Sequence, residues 1–80
     1  MHFKIIIIED DKGLNTLIQK QLKRADYNVD FAYSGKEALE KIKGNKNEIL
    51  LLDYKLPDMT ALEMLNKFAK KNTKPNFIII

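Results

Sequence analysis

Ile49-Leu50-Leu51-Leu52-Asp53-Tyr54-Lys55-Leu56-Pro57-Asp58 is the stretch on which the fold turns. Four consecutive apolar residues read as a strand buried on both faces, and Asp53 stands where that strand runs out into a loop. A second apolar run, Ile5 to Ile8, also ends in acid, at Glu9, Asp10 and Asp11. Two such strands side by side bring three or more carboxylates to one edge of a sheet.

Working outward, the remaining elements alternate in type. Phe3 to Ile8 is a strand by its β-branched content and the acidic break after it. From Asp11 the period becomes helical, with Leu14, Leu17, Ile18, Leu22 and Ala25 as the apolar stripe, Asp11 as the cap and the end near Arg24. Asn28 to Ala32 alternates polar and apolar, the pattern of an edge strand covered on one face. Ser34 and Glu37 form a capping box for a short helix with Ala38, Leu39 and Ile42 inward and Gly44 at its end, and Asn45-Lys46-Asn47 leads into the central strand. Leu56-Pro57-Asp58 breaks regular structure, and Thr60 with Glu63 opens a third helix. Met59 and Met64 stand at staple spacing, and Leu62, Leu65, Phe68 and Ala69 face inward to about Lys71. After Pro75-Asn76, Phe77 to Ile80 reads as one more buried strand. The order β-α-β-α-β-α-β implies a mostly parallel sheet with right-handed crossovers.

Composition narrows the function. Eighty residues make one small domain, the apolar runs are far too short to cross a bilayer, and the first run stops at acid with no small-residue cleavage site of a signal peptide, so a cytoplasmic protein is expected. With no cysteine, disulfides, thiolate catalysis and Cys-based zinc sites are excluded. The single histidine, His2, is read as inert. The net charge of +3 comes from scattered lysines. Lys67, Lys70, Lys71 and Lys74 gather at a helix end, where cations favour the dipole, and no interleaved aromatics mark a nucleic-acid surface.

In an open parallel sheet, ligands bind beyond the carboxyl ends of the strands, where strand order reverses. If the second and third strands flank the first, Glu9, Asp10 and Asp53 border that point. Carboxylates so close repel unless a cation sits among them, and an oxygen-rich cluster suits Mg²⁺. Solvated loop acids or helix caps are the competing reading, and for Asp11 alone the cap is preferred.

Three motifs carry a resemblance across the whole chain: Ile5 to Asp11 before an amphipathic helix, Ala32-Tyr33-Ser34-Gly35-Lys36-Glu37-Ala38-Leu39, and Leu50 to Met59. Together they resemble the receiver domain of bacterial two-component response regulators. The resemblance implies a flavodoxin-like sheet of order 2-1-3-4. It also implies phosphoryl transfer from a histidine kinase to Asp53, with Mg²⁺ held by Glu9, Asp10, Asp53 and the main-chain carbonyl of Lys55. Such a domain is a phosphoacceptor rather than an enzyme and signals to an effector domain or partner protein.

Against the family pattern, residues 1–80 lack the Ser or Thr at the end of the fourth strand and the final α-β-α, whose strand ends in Lys, so an incomplete receiver with impaired switching is expected. Ala61 stands where the family usually has glycine, so a local difference is expected there. An exposed last strand is expected to promote dimerisation or domain swapping through Phe77 to Ile80. The alternative is a pseudo-receiver that binds partners without phosphotransfer. An aspartate-nucleophile phosphatase is disfavoured by Lys55, where such enzymes commonly carry a second acid, and dinucleotide binding by the acidic turn with only Gly13.

Overall fold

The structure is a computed structural model that describes residues 3–42 and 47–80. The readings of His2 as inert, of Gly44 as a helix end and of the loop at 45–46 lie outside those residues. The elements are β1 (Lys4–Ile8), α1 (Lys12–Arg24), β2 (Asn28–Ala32), α2 (Gly35–Lys41), β3 (Glu48–Leu52), α3 (Ala61–Lys70) and β4 (Asn76–Ile79). The strands form one parallel sheet of order β2-β1-β3-β4. This is the doubly wound order expected from the resemblance, and it puts the reversal point between β1 and β3.

Four isoleucines make β1 the centre of the molecule, because a β-branched run suits a pleated surface that is covered on both sides. Ile6, Ile7 and Ile8 are fully buried, and Ile5 nearly so. The period-2 alternation then sorts the strands by face. Ile6, Ile8, Leu50, Leu52 and Ala32 join Ala38, Ile42, Ala61, Met64 and Phe68 in one apolar cluster against α2 and α3.

Helix starts follow local chemistry. Asp11 Oδ1 accepts from the Leu14 N–H at 3.0 Å, and Ser34 Oγ from the Glu37 N–H at 3.1 Å. Thr60 and Glu63 close a full capping box at α3. Both α1 and α3 end on a residue in the left-handed region, Asp26 at φ 72° and Asn72 at φ 57°. The next N–H returns to the carbonyl five residues back, Tyr27 to Leu22 at 3.1 Å and Thr73 to Phe68 at 2.9 Å, the bond of a Schellman motif.

Several expectations about facing need correction. In α1 the inward position belongs to Asn15, fully buried, while Leu14 and Leu17 are exposed. The buried face is rotated because Asn15 bonds to strand-end carbonyls that an apolar side chain could not serve. In α3 the inward residues are Ala61, Met64 and Phe68; Leu62 and Ala69 are exposed. The Thr60 box fixes where the helix starts and therefore which face turns inward. Ala61 is the first residue of α3 and has no left-handed φ, so no glycine is needed there. Ile49 and Leu51 are half-buried rather than covered on both faces. β4 forms at the edge of the sheet, as expected of the last strand, and among the described residues it pairs with β3 alone; Phe77, Ile78 and Ile79 are exposed, which corrects the reading of a buried run.

Candidate functional site

The register places Ile8, Ala32 and Leu52 in one row, so Glu9 and Asp53 leave the sheet side by side. The ladder continues one step past the strands. The Glu9 N–H donates to the Ala32 carbonyl at 3.1 Å and the Asp53 N–H to the Ile8 carbonyl at 3.0 Å. Both acids therefore have a backbone as rigid as the sheet itself.

Asn15 tightens this edge from α1. Its Nδ2 donates to the Glu9 carbonyl at 2.9 Å and to the Ala32 carbonyl at 3.2 Å, and Gln19 Nε2 donates to its Oδ1 at 2.8 Å. An amide is suited to the position because it supplies two N–H donors on one nitrogen and an acceptor beside it. The Asp11 N–H, donating to Glu9 Oε2 at 3.1 Å, then aims the Glu9 carboxylate.

Glu9, Asp10 and Asp53 each offer a carboxylate oxygen, and the three oxygens lie within 4.8 Å of one another. Glu9 is buried, Asp53 half-buried and Asp10 exposed. Burial is the largest influence on Glu9 and pushes its pKa up; the Asp11 N–H pulls it down, and the Asp10 and Asp53 carboxylates push it up again, leaving it raised overall. An all-oxygen, like-charged set of this kind matches the chemistry of a hard divalent cation. Asp11 is not part of the cluster, since its carboxylate is committed to capping α1.

Lys55 lies in the exposed turn after β3, where its N–H approaches Asp53 Oδ1 at 3.4 Å. The turn closes on itself: the Leu56 N–H donates to the Met59 carbonyl at 3.1 Å and the Ala61 N–H to the Tyr54 carbonyl at 2.9 Å. Asp58, at the tip, accepts from the N–H groups of Gly35 and Lys36, both at 2.9 Å. Burial alone would raise its pKa, but these backbone donors outweigh that and hold the carboxyl below its ordinary value.

Asn15, Gln19 and Asp58 were not singled out from the sequence. For Asn15 a signal existed, since Asn15, Ile18 and Leu22 share one helical face and a polar residue at its head, beside a strand end, is out of place unless bonded. Asp58 had none, because its partners lie more than twenty residues away.

A doubly wound parallel sheet with carboxylates clustered at its reversal point defines a class of α/β module whose ligand site lies at the carboxyl ends of the strands. The comparisons narrow the class. Residues 5–80 match the response regulator receiver domain family, and the chain belongs to that family. It is 38% identical over 76 residues to the response regulator ArlR of Staphylococcus saprophyticus, covering 95% of this chain and 34% of that protein. The Staphylococcus aureus ArlR is 32% identical over 76 residues, with 95% of this chain and 35% of the relative covered. The chain thus spans about a third of the length of the curated relatives it matches.

Among solved structures, the Francisella response regulator 1452 receiver domain superposes with a TM-score of 0.86 at 26% identity, covering 98% of this chain and 64% of that one. TrrA from Thermotoga maritima, solved in complex with Mg²⁺ and BeF, gives a TM-score of 0.82 at 26% identity over 96% of this chain and 67% of that one. Among the described residues, no helix is long and apolar enough to cross a membrane.

Proposed function

We propose that this receiver domain accepts a phosphoryl group on Asp53 from the phosphohistidine of a histidine kinase and passes the signal to an effector domain or partner protein. The observation that carries the reading is the convergence of the Glu9, Asp10 and Asp53 oxygens within 4.8 Å at the carboxyl ends of β1 and β3. Membership of the receiver family supports it.

In this reading an Asp53 carboxylate oxygen forms a bond to phosphorus while the bond from phosphorus to the kinase imidazole nitrogen breaks, and the electron pair leaves with that nitrogen. Asp53 is half-buried at the end of a rigid strand, so its carboxylate is held in place yet reachable by a bulky donor. Glu9 and Asp10, with the Lys55 main-chain carbonyl, complete the oxygen set for Mg²⁺. When bound, the ion offsets the charge that accumulates between carboxylate and phosphoryl oxygens.

The test is a Mg²⁺ titration followed by acetyl phosphate or beryllofluoride. Intact-mass and peptide analysis should place one phosphoryl group on Asp53, with none taken up by Asp53→Asn and a large loss for Asp10→Asn. Mg²⁺ binding without any phosphoryl uptake at Asp53 would refute the reading and favour a phosphorylation-independent partner-binding module.

A further inference from the structure

The turn between β3 and α3 leaves directly from Asp53, one of the three acids of the site, and its tip is fastened to a different element. Asp58 Oδ1 accepts from the Gly35 N–H and Oδ2 from the Lys36 N–H, each at 2.9 Å. These are the first two residues of α2, whose N–H groups have no acceptor inside the helix. Ser34 Oγ serves only the third, Glu37, at 3.1 Å. The local cap therefore satisfies one donor, and a carboxylate from across the fold satisfies two.

A second contact reinforces the first. Met59 packs so closely on Gly35 that a Cβ there would come within 2.5 Å of its Cγ and Sδ. Between Asp53 and this docking point the chain has little slack, because Lys55 pairs antiparallel with Thr60 and the Leu56 N–H is bonded to the Met59 carbonyl at 3.1 Å. A closed turn rooted at Asp53 and pinned at Asp58 has its middle, Lys55, fixed from both ends.

We infer that Asp58 is a positioning residue for the acidic site: by clamping the Tyr54–Thr60 turn to the first turn of α2 it sets the affinity of the site for its divalent cation. This deepens the proposed function and rests on it. Asp58 is more than a helix cap, because the helix already has a local cap in Ser34 and the clamp joins that helix to the turn leaving Asp53. The effect must also run both ways: if the clamp tightens cation binding by some factor, bound cation tightens the clamp by the same factor.

The experiment is Mg²⁺ titration of the protein and of Asp58→Asn, Gly35→Ala and Ser34→Ala, followed by calorimetry, at a temperature where melts show each folded. Asp58→Asn turns an N–H₂ towards one backbone donor, and Gly35→Ala displaces Met59 from the other side. Each is expected to weaken Mg²⁺ binding about fivefold or more, the low end of ordinary coupling between sites. Ser34→Ala weakens the same helix without releasing the turn, and should stay within about twofold of the unaltered protein. In the unaltered protein, saturating Mg²⁺ should slow exchange of the Gly35 and Lys36 amides about fivefold or more, a readout that requires no variant to fold. If Asp58→Asn binds Mg²⁺ as tightly as the unaltered protein, or if Ser34→Ala weakens binding equally, the inference is overturned while the proposed function stands. No Mg²⁺ binding by the unaltered protein overturns both.

Discussion

Replacing Asn15 should cost more than replacing any leucine of α1, although the helix carries three. The side chain is fully buried and bridges the carbonyls of Glu9 and Ala32 at 2.9 and 3.2 Å. In Asn15→Ala the Ala32 carbonyl keeps the Glu9 N–H at 3.1 Å, but the Glu9 carbonyl loses its donor in a place with little access to water. Leaving such a group unpaired costs about 1–3 kcal/mol. For a domain of this size each kcal/mol lowers Tm by roughly 4–8 °C, so a central loss of about 2 kcal/mol moves the melt by roughly 8–16 °C.

Asn15→Asp sharpens the test, because the protonated acid can donate to only one of the two carbonyls and the ionised acid to neither. Burial beside two carbonyl oxygens should raise its folded pKa above the unfolded value of about 3.9. A raised acid gives stability that is lost as pH rises, up to about 1.4 kcal/mol per pH unit until the folded pKa is passed. The assay is thermal melting by far-ultraviolet circular dichroism between pH 4 and pH 8, on the unaltered chain and both variants. Asn15→Ala should be displaced by a constant amount and Asn15→Asp by an amount that grows with pH. A drop of less than about 2 °C for Asn15→Ala, or a flat profile for Asn15→Asp, would show that the bridge contributes nothing beyond filling space.

Asp26→Gly should raise stability by about 0.5–1 kcal/mol and Asn72→Gly by less, because glycine relieves the left-handed conformation at both helix ends and the aspartate also sets a negative charge against a helix C-terminus; an unchanged Tm in chemical and thermal melts would count against both. Thr60→Ala and Glu63→Ala dismantle the same capping box, so each should cost about 1 kcal/mol and the double change less than the sum, read from urea midpoints. Asp30 and Asp58 have depressed folded pKa values: burial raises each, and for Asp30 the Phe31 N–H and then Lys41 and Lys4 outweigh it, as the α2 donors do for Asp58. Their contribution is complete above the ordinary value of 3.8 and is lost as pH falls through the lower folded values, so Asp58→Asn should flatten the acid limb of a Tm-against-pH curve. Mg²⁺ at about a hundred times its Kd should raise stability by about 2.7 kcal/mol in the unaltered chain and far less in Asp10→Asn, checked by melts with and without chelator.

The parts of the fold that were legible in the sequence are those whose cause is local. Four isoleucines in a row and the run from Ile49 to Leu52 specify strands by content alone, and Ser34, Thr60 with Glu63 and Asp11 announce helix starts because donor and acceptor lie within four residues. Helix facing was less legible. A count of leucines put Leu14, Leu17 and Leu62 inward, where tertiary bonding chose Asn15 and the capping box chose Ala61 and Met64. The carboxylates of the site could be read as a pattern, but what holds them could not: Asn15 reaches Ala32 across 17 residues and Asp58 reaches Gly35 across 23.

That division has a physical cause. Three acids within 4.8 Å repel, and on flexible loops they would separate and leave no site. The chain resists this by tying each acidic segment to a neighbour with buried or charge-assisted hydrogen bonds, Glu9 through Asn15 and the turn after Asp53 through Asp58. Burial first, and the Asp10 and Asp53 carboxylates after it, hold the Glu9 pKa up, and a divalent cation placed among the three acids would offset the repulsive part of that. Cation affinity should therefore depend on the stiffness of the two ties as much as on the carboxylates, and loosening either one should weaken the site without removing a ligand.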